Sequence, residues 1–164
     1  MELYFKDRIF YQGQTDILNE SGETVGILDL DSRMTSSISV YCNNSTLQCS
    51  GKFRFLSGKW EVLGPEGEEL GLLRARFSLF SKRFEYDAGT RGLFTIESPA
   101  FSQSYKIEDI GEREAATFQK VNGWLQAGAF RLQNHSNVLG SFELVAIIIG
   151  INNIEGHQSA ATTS

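Results

Sequence analysis

Cysteine, histidine and proline each occur only twice in this 164-residue chain, and each scarcity excludes something. Cys42 and Cys49 are too few for the disulfide framework of a small secreted domain. Their spacing is wrong for a paired zinc knuckle, so reduced structural thiols are expected. His135 and His157 cannot build a histidine-rich site, so no metal and no cofactor is expected. Proline is confined to Pro65, in a turn signal, and Pro99, between two strand-like segments. Positive charge is also short: the net charge of −5 provides no global field to draw in nucleic acid, and no nucleic-acid partner is expected. No apolar run reaches the roughly 20 residues that a spanning helix needs. The opening from Met1 to Arg8 is charged from its second residue and has no signal-peptide apolar region. The expected location is therefore cytoplasmic, with peripheral membrane contact left open. There is no serine elbow, phosphate-binding glycine loop or metal-spaced cluster, so no catalytic residue is assigned and no enzyme is expected.

What the chain does contain is alternation. Most segments place apolar and polar residues in turn, as half-buried strands do. Strands are expected at residues 3–6, 17–18, 25–30, 38–41, 47–55, 60–63, 70–77, 84–86, 93–96, 105–107, 115–118 and 130–132. Gly51 lies inside one of them and suggests a bulge. An aromatic-polar-apolar return strand recurs at Trp60–Val62, Phe84–Tyr86, Tyr105–Ile107 and Phe130–Leu132, with Ile38–Val40 as a weaker copy. The steps run from 21 to 25 residues, so each repeat reads as one β-hairpin. A hairpin cannot bury its apolar face alone, so its neighbours must continue the sheet. About twelve sequential strands would leave two vulnerable edges unless the sheet closed. A barrel of that size is too wide for its own side chains to fill.

The filling is sought in the one continuously apolar stretch, Leu144 to Ile151. As a helix over about 141–153 it would span roughly 20 Å, the reach of a six-residue strand. Ser141 can cap its start, and Glu143 suits the positive end of its dipole. The competing reading is one more buried strand. Ile and Val favour the strand, and Gly150 weakens a helix by about 1 kcal/mol. Local sequence leaves the two readings open. Residues 156–164 are small and polar and are expected to form a disordered tail.

Three features carry a family resemblance. They are the opening MELYFKDRIF, the unit PEGEELGLLRARFSLFSKRFEY from Pro65 to Tyr86, and the closing LVAIIIGI from Leu144. Together they resemble the LURP-one-related (YxjI-like) branch of the tubby C-terminal-like superfamily, over residues 1–155. The resemblance implies a mainly β fold: a closed barrel of about twelve antiparallel strands around a central hydrophobic C-terminal helix. Gly150 and the pair Asn152–Asn153 depart from the pattern, which ends on acidic residues. The superfamily includes phosphoinositide-binding tubby proteins and phospholipid scramblases, while this branch has no established chemistry. Association with anionic phospholipid or a membrane surface is implied, with no particular residue assigned.

If strands run up and down, their connections divide between two rims. One collects nine carboxylates against Arg91 and Arg113. The other collects Arg8, Arg33, Lys59, Lys82 and Arg83 against Asp7 and Asp31. The candidate lipid- or anion-binding residues are Arg74, Arg76, Lys82, Arg83 and Lys59. Leu79 and Phe80 beside them suit a loop tip that touches an anionic surface, each cation contributing about 1 kcal/mol. Against this, the charges could be solvated wall residues with Leu79 and Phe80 tucked into the core. Trp124 reads either as a rim aromatic or as core. The alternative function is a protein-interaction or scaffold module.

Overall fold

The computed structural model describes residues 1–31, 36–122 and 128–162. The strands are Glu2–Phe5 (β1), Gly13–Leu18 (β2), Thr24–Leu30 (β3), Ile38–Cys42 (β4), Leu47–Phe53 (β5), Trp60–Leu63 (β6), Glu69–Arg76 (β7), Ser81–Asp87 (β8), Leu93–Pro99 (β9), Tyr105–Asp109 (β10), Glu114–Val121 (β11) and Ala129–Asn134 (β12). A helix, Ser141–Thr162 (α1), follows them. Every strand pairs antiparallel with its sequence neighbours, and β1 closes on β12 through Leu3 opposite Leu132 and Phe5 opposite Phe130. The fold is a closed twelve-stranded barrel with a C-terminal helix.

The sequence repeat has a local cause. Four hairpins, after β2, β4, β6 and β10, share one five-residue turn. In each, the first turn residue accepts from the fourth and donates to the fifth, as in Gly64 with Gly67 and Glu68. The fourth residue takes positive φ: Gly22, Ser45, Gly67 and Glu112. A register shift adjoins each turn, at Leu18, Tyr41, Leu63 and Glu108. Such bulges sharpen strand curvature at a barrel mouth. Gly51 is not among them.

Gly51 serves the core instead. A Cβ there would stand 2.6 Å from the Trp60 ring, and a Cβ on Gly150 would stand 2.4 Å from the same ring. The fully buried indole is therefore held between a strand backbone and the helix backbone, and its Nε1 donates to the Ala146 carbonyl at 3.2 Å. Gly150, unfavourable by helix propensity, is required by this contact. Gly150→Ala is expected to destabilise the fold by about 2 kcal/mol, because overpacking at a rigid ring outweighs the roughly 1 kcal/mol propensity gain. Urea unfolding measures this, and Trp60→Phe should relieve part of it. A more stable Gly150→Ala protein would refute the contact.

Helix α1 threads the barrel, with every residue from Leu144 to Ile151 buried. It lies off-centre, closest to β4–β7. Phenylalanines occupy another part of the interior: Phe118 stacks on Phe130 at 5.1 Å, and Phe10 meets Phe130 edge-on at 5.5 Å. Two expectations about the helix are corrected. Its first intrahelical bond, Leu144 N to Gly140 O, makes Gly140 the N-cap, while the Ser141 hydroxyl accepts from Asn134. It also runs to Thr162 rather than ending near Asn153, so residues 156–162 are helical and not a disordered tail. Contacts at the mouth extend it: Glu155 pairs with Lys82, and His157 packs on Phe53 at 4.1 Å.

Candidate functional site

The helix defines the two mouths. Its N-terminus enters beside Arg91, Asn134 and the acidic turns. Its C-terminal part leaves beside Ser36, Lys82 and Phe53. The positive end of the helix dipole therefore lies at the acidic mouth and the negative end at the basic one, a favourable arrangement at both.

At the exit mouth, apolar side chains stand in solvent. Phe55, Leu56, Phe77, Leu79, Phe80 and Phe101 are each 76% or more exposed, and Tyr11 joins them from the β1–β2 connection. They occupy the β5–β6, β7–β8 and β9–β10 tips, so the alternative in which Leu79 and Phe80 pack into the core is excluded. Leu56 and Phe101 also adopt left-handed backbone, with φ of 54° and 64°. L-residues with bulky side chains rarely do so, and neither gains burial in return.

Phe55 and Phe77 were expected to end strands, yet β5 stops at Phe53 and β7 at Arg76. Both keep the inward parity of their strands, so alternation alone reads straight through them. The strands have simply passed the mouth, where no opposite wall remains to cover the ring. Arg33 and Trp124 lie outside the described residues.

The five expected site residues share this end of the barrel but do not form one patch. Arg74 and Arg76 project from the outer wall and pair with Glu85, Arg74 Nε at 2.8 Å from Oε1 and Arg76 at 3.6 Å from Oε2. Arg83 sits directly across from Arg76 and pairs with Glu97 at 2.7 Å. Lys82 has the opposite parity and faces the helix, 3.0 Å from Glu155. Lys59 lies in the turn before β6, and its ammonium has no carboxylate partner among the described residues. Among the open grooves that flank the exiting helix, two carry these cations. Arg76, Lys82 and Arg83 line one, and Lys59, Arg74 and Arg76 line the other. Arg74, Arg76 and Arg83 are thus half-exposed wall charges held in surface ion pairs. Surface pairs of this kind contribute about 0–1 kcal/mol each and leave the cations accessible.

The outer wall carries further pairs, Lys52–Glu61 at 3.6 Å and Lys106–Glu108 at 2.6 Å. A wall of this polarity is unlike the apolar band of a barrel that spans lipid. No described helix is long and apolar enough to cross a membrane.

The entry mouth holds a buried polar cluster that sequence reasoning missed. Both terminal guanidinium nitrogens of Arg91, Nη2 and Nη1, donate to Glu143, at 2.6 and 2.8 Å, and the Tyr86 hydroxyl donates to the same carboxylate at 2.6 Å. Burial, then the Glu143 charge, pushes the Tyr86 phenol well above its ordinary value and keeps it a donor. Cys49 lies nearby with its thiol against the Phe142 carbonyl at 3.2 Å, and burial pushes it up to about 12. Cys42 and Cys49 are both free. Among the described residues, no three His, Cys, Asp or Glu side chains gather as a metal site.

No protein-family model matches the sequence, and no curated protein matches it. The fold is similar to an X-ray structure of a protein from Arabidopsis thaliana, with a TM-score of 0.64 and 7% identity over 94% of this chain and 90% of that one. At that identity the likeness concerns the fold alone.

Proposed function

We propose that this protein is a non-enzymatic barrel that docks end-on against anionic phospholipid surfaces through its helix-exit mouth. The observation that carries the proposal is the set of exposed apolar tips at the same end as Lys59, Lys82, Arg74, Arg76 and Arg83. Apolar tips at this depth could enter the headgroup boundary, where burial of each large side chain is worth up to about 1.5–3 kcal/mol. The surrounding cations add about 1 kcal/mol each near an anionic leaflet. The cost in left-handed backbone at Leu56 and Phe101 has a use in this setting, since both side chains are held outward.

The test is co-sedimentation with vesicles. Salt-sensitive binding to anionic vesicles is expected, reduced tenfold or more by Lys82→Glu with Arg83→Glu, and also by Leu79→Ser with Phe80→Ser. The first pair removes charge attraction and the second removes insertion. Absence of binding at low salt ends the proposal. A protein-interaction module remains the second reading, favoured by exposed Ile110 and half-exposed Val138 at the entry mouth. That reading requires a defined partner whose capture is independent of lipid.

A further inference from the structure

Among the described residues, β1 and β2 meet through a single pair, Tyr4 opposite Leu18. Every other neighbouring pair of strands is in register over four residues or more. The cause is Ile9. After Phe5 the chain turns inward, with the Ile9 N–H donating to the Lys6 carbonyl and the Tyr11 N–H to the Arg8 carbonyl, and Ile9 becomes fully buried. Residues 13–16 of β2 are left without a strand on that side. Their hydrogen bonding follows from β3. The Val25 carbonyl accepts from Asn43 and the Asp31 N–H donates to Ser37, so Val25, Ile27 and Asp29 turn their backbone groups toward β4. Gly26, Leu28 and Leu30 therefore bond to β2, where they stand opposite Ile17, Thr15 and Gly13. Gln14 and Asp16 must then direct both N–H and C=O toward the vacant side. Among the described residues those four groups have no backbone partner. An open groove of about 410 Å³ lies along this edge, lined by Arg8, Phe10, Tyr11, Gln12, Gln14 and Thr15. Tyr11 is 66% exposed. Arg8 is exposed, and its guanidinium has no carboxylate partner among the described residues.

We infer that this edge is a docking site for an extended peptide segment of another protein, which pairs with Gln14 and Asp16 as an added strand. The recognising chemistry is in the main chain: two donors and two acceptors, on alternate residues over roughly 14 Å, match the period of a strand. Open edges are commonly shielded by lysine or proline, and Gly13–Asp16 contains neither. An antiparallel arrival continues the direction of β1. The peptide residue opposite Thr15 then shares its inward face and meets Phe10, which packs edge-on against Phe118 and Phe130, so an apolar side chain fits there. Asp16 repels a carboxylate at its own end of the edge, whereas Arg8 attracts one at the Gln14 end. The partner's signature is thus an apolar residue followed by an acidic one, in an extended segment without proline. The stretch Gly13–Asp16 lacks that signature, so a second copy of β2 is not the expected occupant.

Amide hydrogen exchange of the free full-length chain is the first measurement. Gln14 and Asp16 should exchange about a hundredfold faster than Thr15, whose N–H bonds to β3. Equal protection of all three in the monomer overturns the open edge. Protection that appears only as concentration rises, with a doubled mass in ultracentrifugation, overturns the peptide assignment in favour of a second copy. A phage library of random heptapeptides is then selected on the full chain without lipid. Enrichment of the apolar-acidic step is expected, and the best peptide should protect Gln14 and Asp16 when bound. Arg8→Glu should weaken that peptide about tenfold. Gln14→Pro removes an N–H that β3 does not use, so the barrel should stay folded while affinity falls about tenfold or more. N-methylation of the two peptide amides that face β2 should have the same effect, and it tests the pairing even if the proline variant does not fold. No enrichment, or a selected peptide that tolerates N-methylation, overturns the added strand. Lys82→Glu with Arg83→Glu should leave peptide affinity within about twofold, because neither side chain lines this groove, so the inference and the membrane reading fail separately.

Discussion

Ile148→Asp is expected to yield no folded protein at neutral pH. Ile148 is 1% exposed and lies in the middle of the helix that fills the barrel. Two losses add. Removing a buried isoleucine side chain costs about 2–5 kcal/mol when it leaves a cavity. A carboxylate in its place must stay charged without a partner or take up a proton, and either costs several kcal/mol more. Arg91, which pairs with Glu143 five residues earlier, roughly 7.5 Å along the axis, is already engaged. The sum approaches the whole stability of an ordinary domain, about 5–15 kcal/mol. Ile148→Val provides the control and should lose only about 1 kcal/mol. Circular dichroism and size exclusion separate the outcomes. A cooperatively folded, monomeric Ile148→Asp protein would mean that this stretch is not the plug.

That experiment attacks the part of the fold most legible in the sequence. The strands could be read because alternation is local: inward Phe94 and Ile96 and outward Thr95 and Glu97 show period two within four residues. The plug could be located because nothing else from Leu3 to Leu132 is apolar on every face. Its identity as a helix could not, since Ile and Val support either form locally, and the deciding contact joins Trp60 to a residue ninety positions away. Gly150 therefore looked like a defect in a helix when it is the clearance for an indole. The helix end was misjudged for a related reason. Gly156 and the small polar residues after it have a loop-like composition, but a helix already nucleated inside the barrel extends more readily than an isolated one forms. At the candidate site, the cations were legible because the turns sort by topology. Their partners were not: Glu85 and Glu97 meet Arg74 and Arg83 only through strand register. The exposed Phe55 and Phe77 were hidden by parity, because a sequence does not mark where a strand leaves the barrel wall.

Arg91→Met is expected to cost about 3–5 kcal/mol, far more than a surface ion pair would. Glu143 is 6% exposed and receives two bonds from Arg91. The same guanidinium donates to the Leu70 carbonyl at 2.6 Å and the Val138 carbonyl at 3.3 Å. One side chain thus joins β7, the segment entering the helix and the helix itself. Glu143 in turn reaches back to the Gly140 N–H at 3.4 Å, as the third residue of a helix does in a capping box. Removing Arg91 strands a buried carboxylate and leaves two carbonyls without their donor. Substituting both partners separates these effects. Arg91→Met with Glu143→Gln keeps an acceptor for Tyr86 and removes the buried charge, so it should recover more than half of the loss. The double-mutant cycle in urea gives the coupling directly, and about 2 kcal/mol or more is expected. If Arg91→Met costs less than about 1 kcal/mol and the cycle shows no coupling, the cluster is only a surface bridge. The helix would then be held by its apolar face alone, with nothing electrostatic fixing which end enters the barrel first.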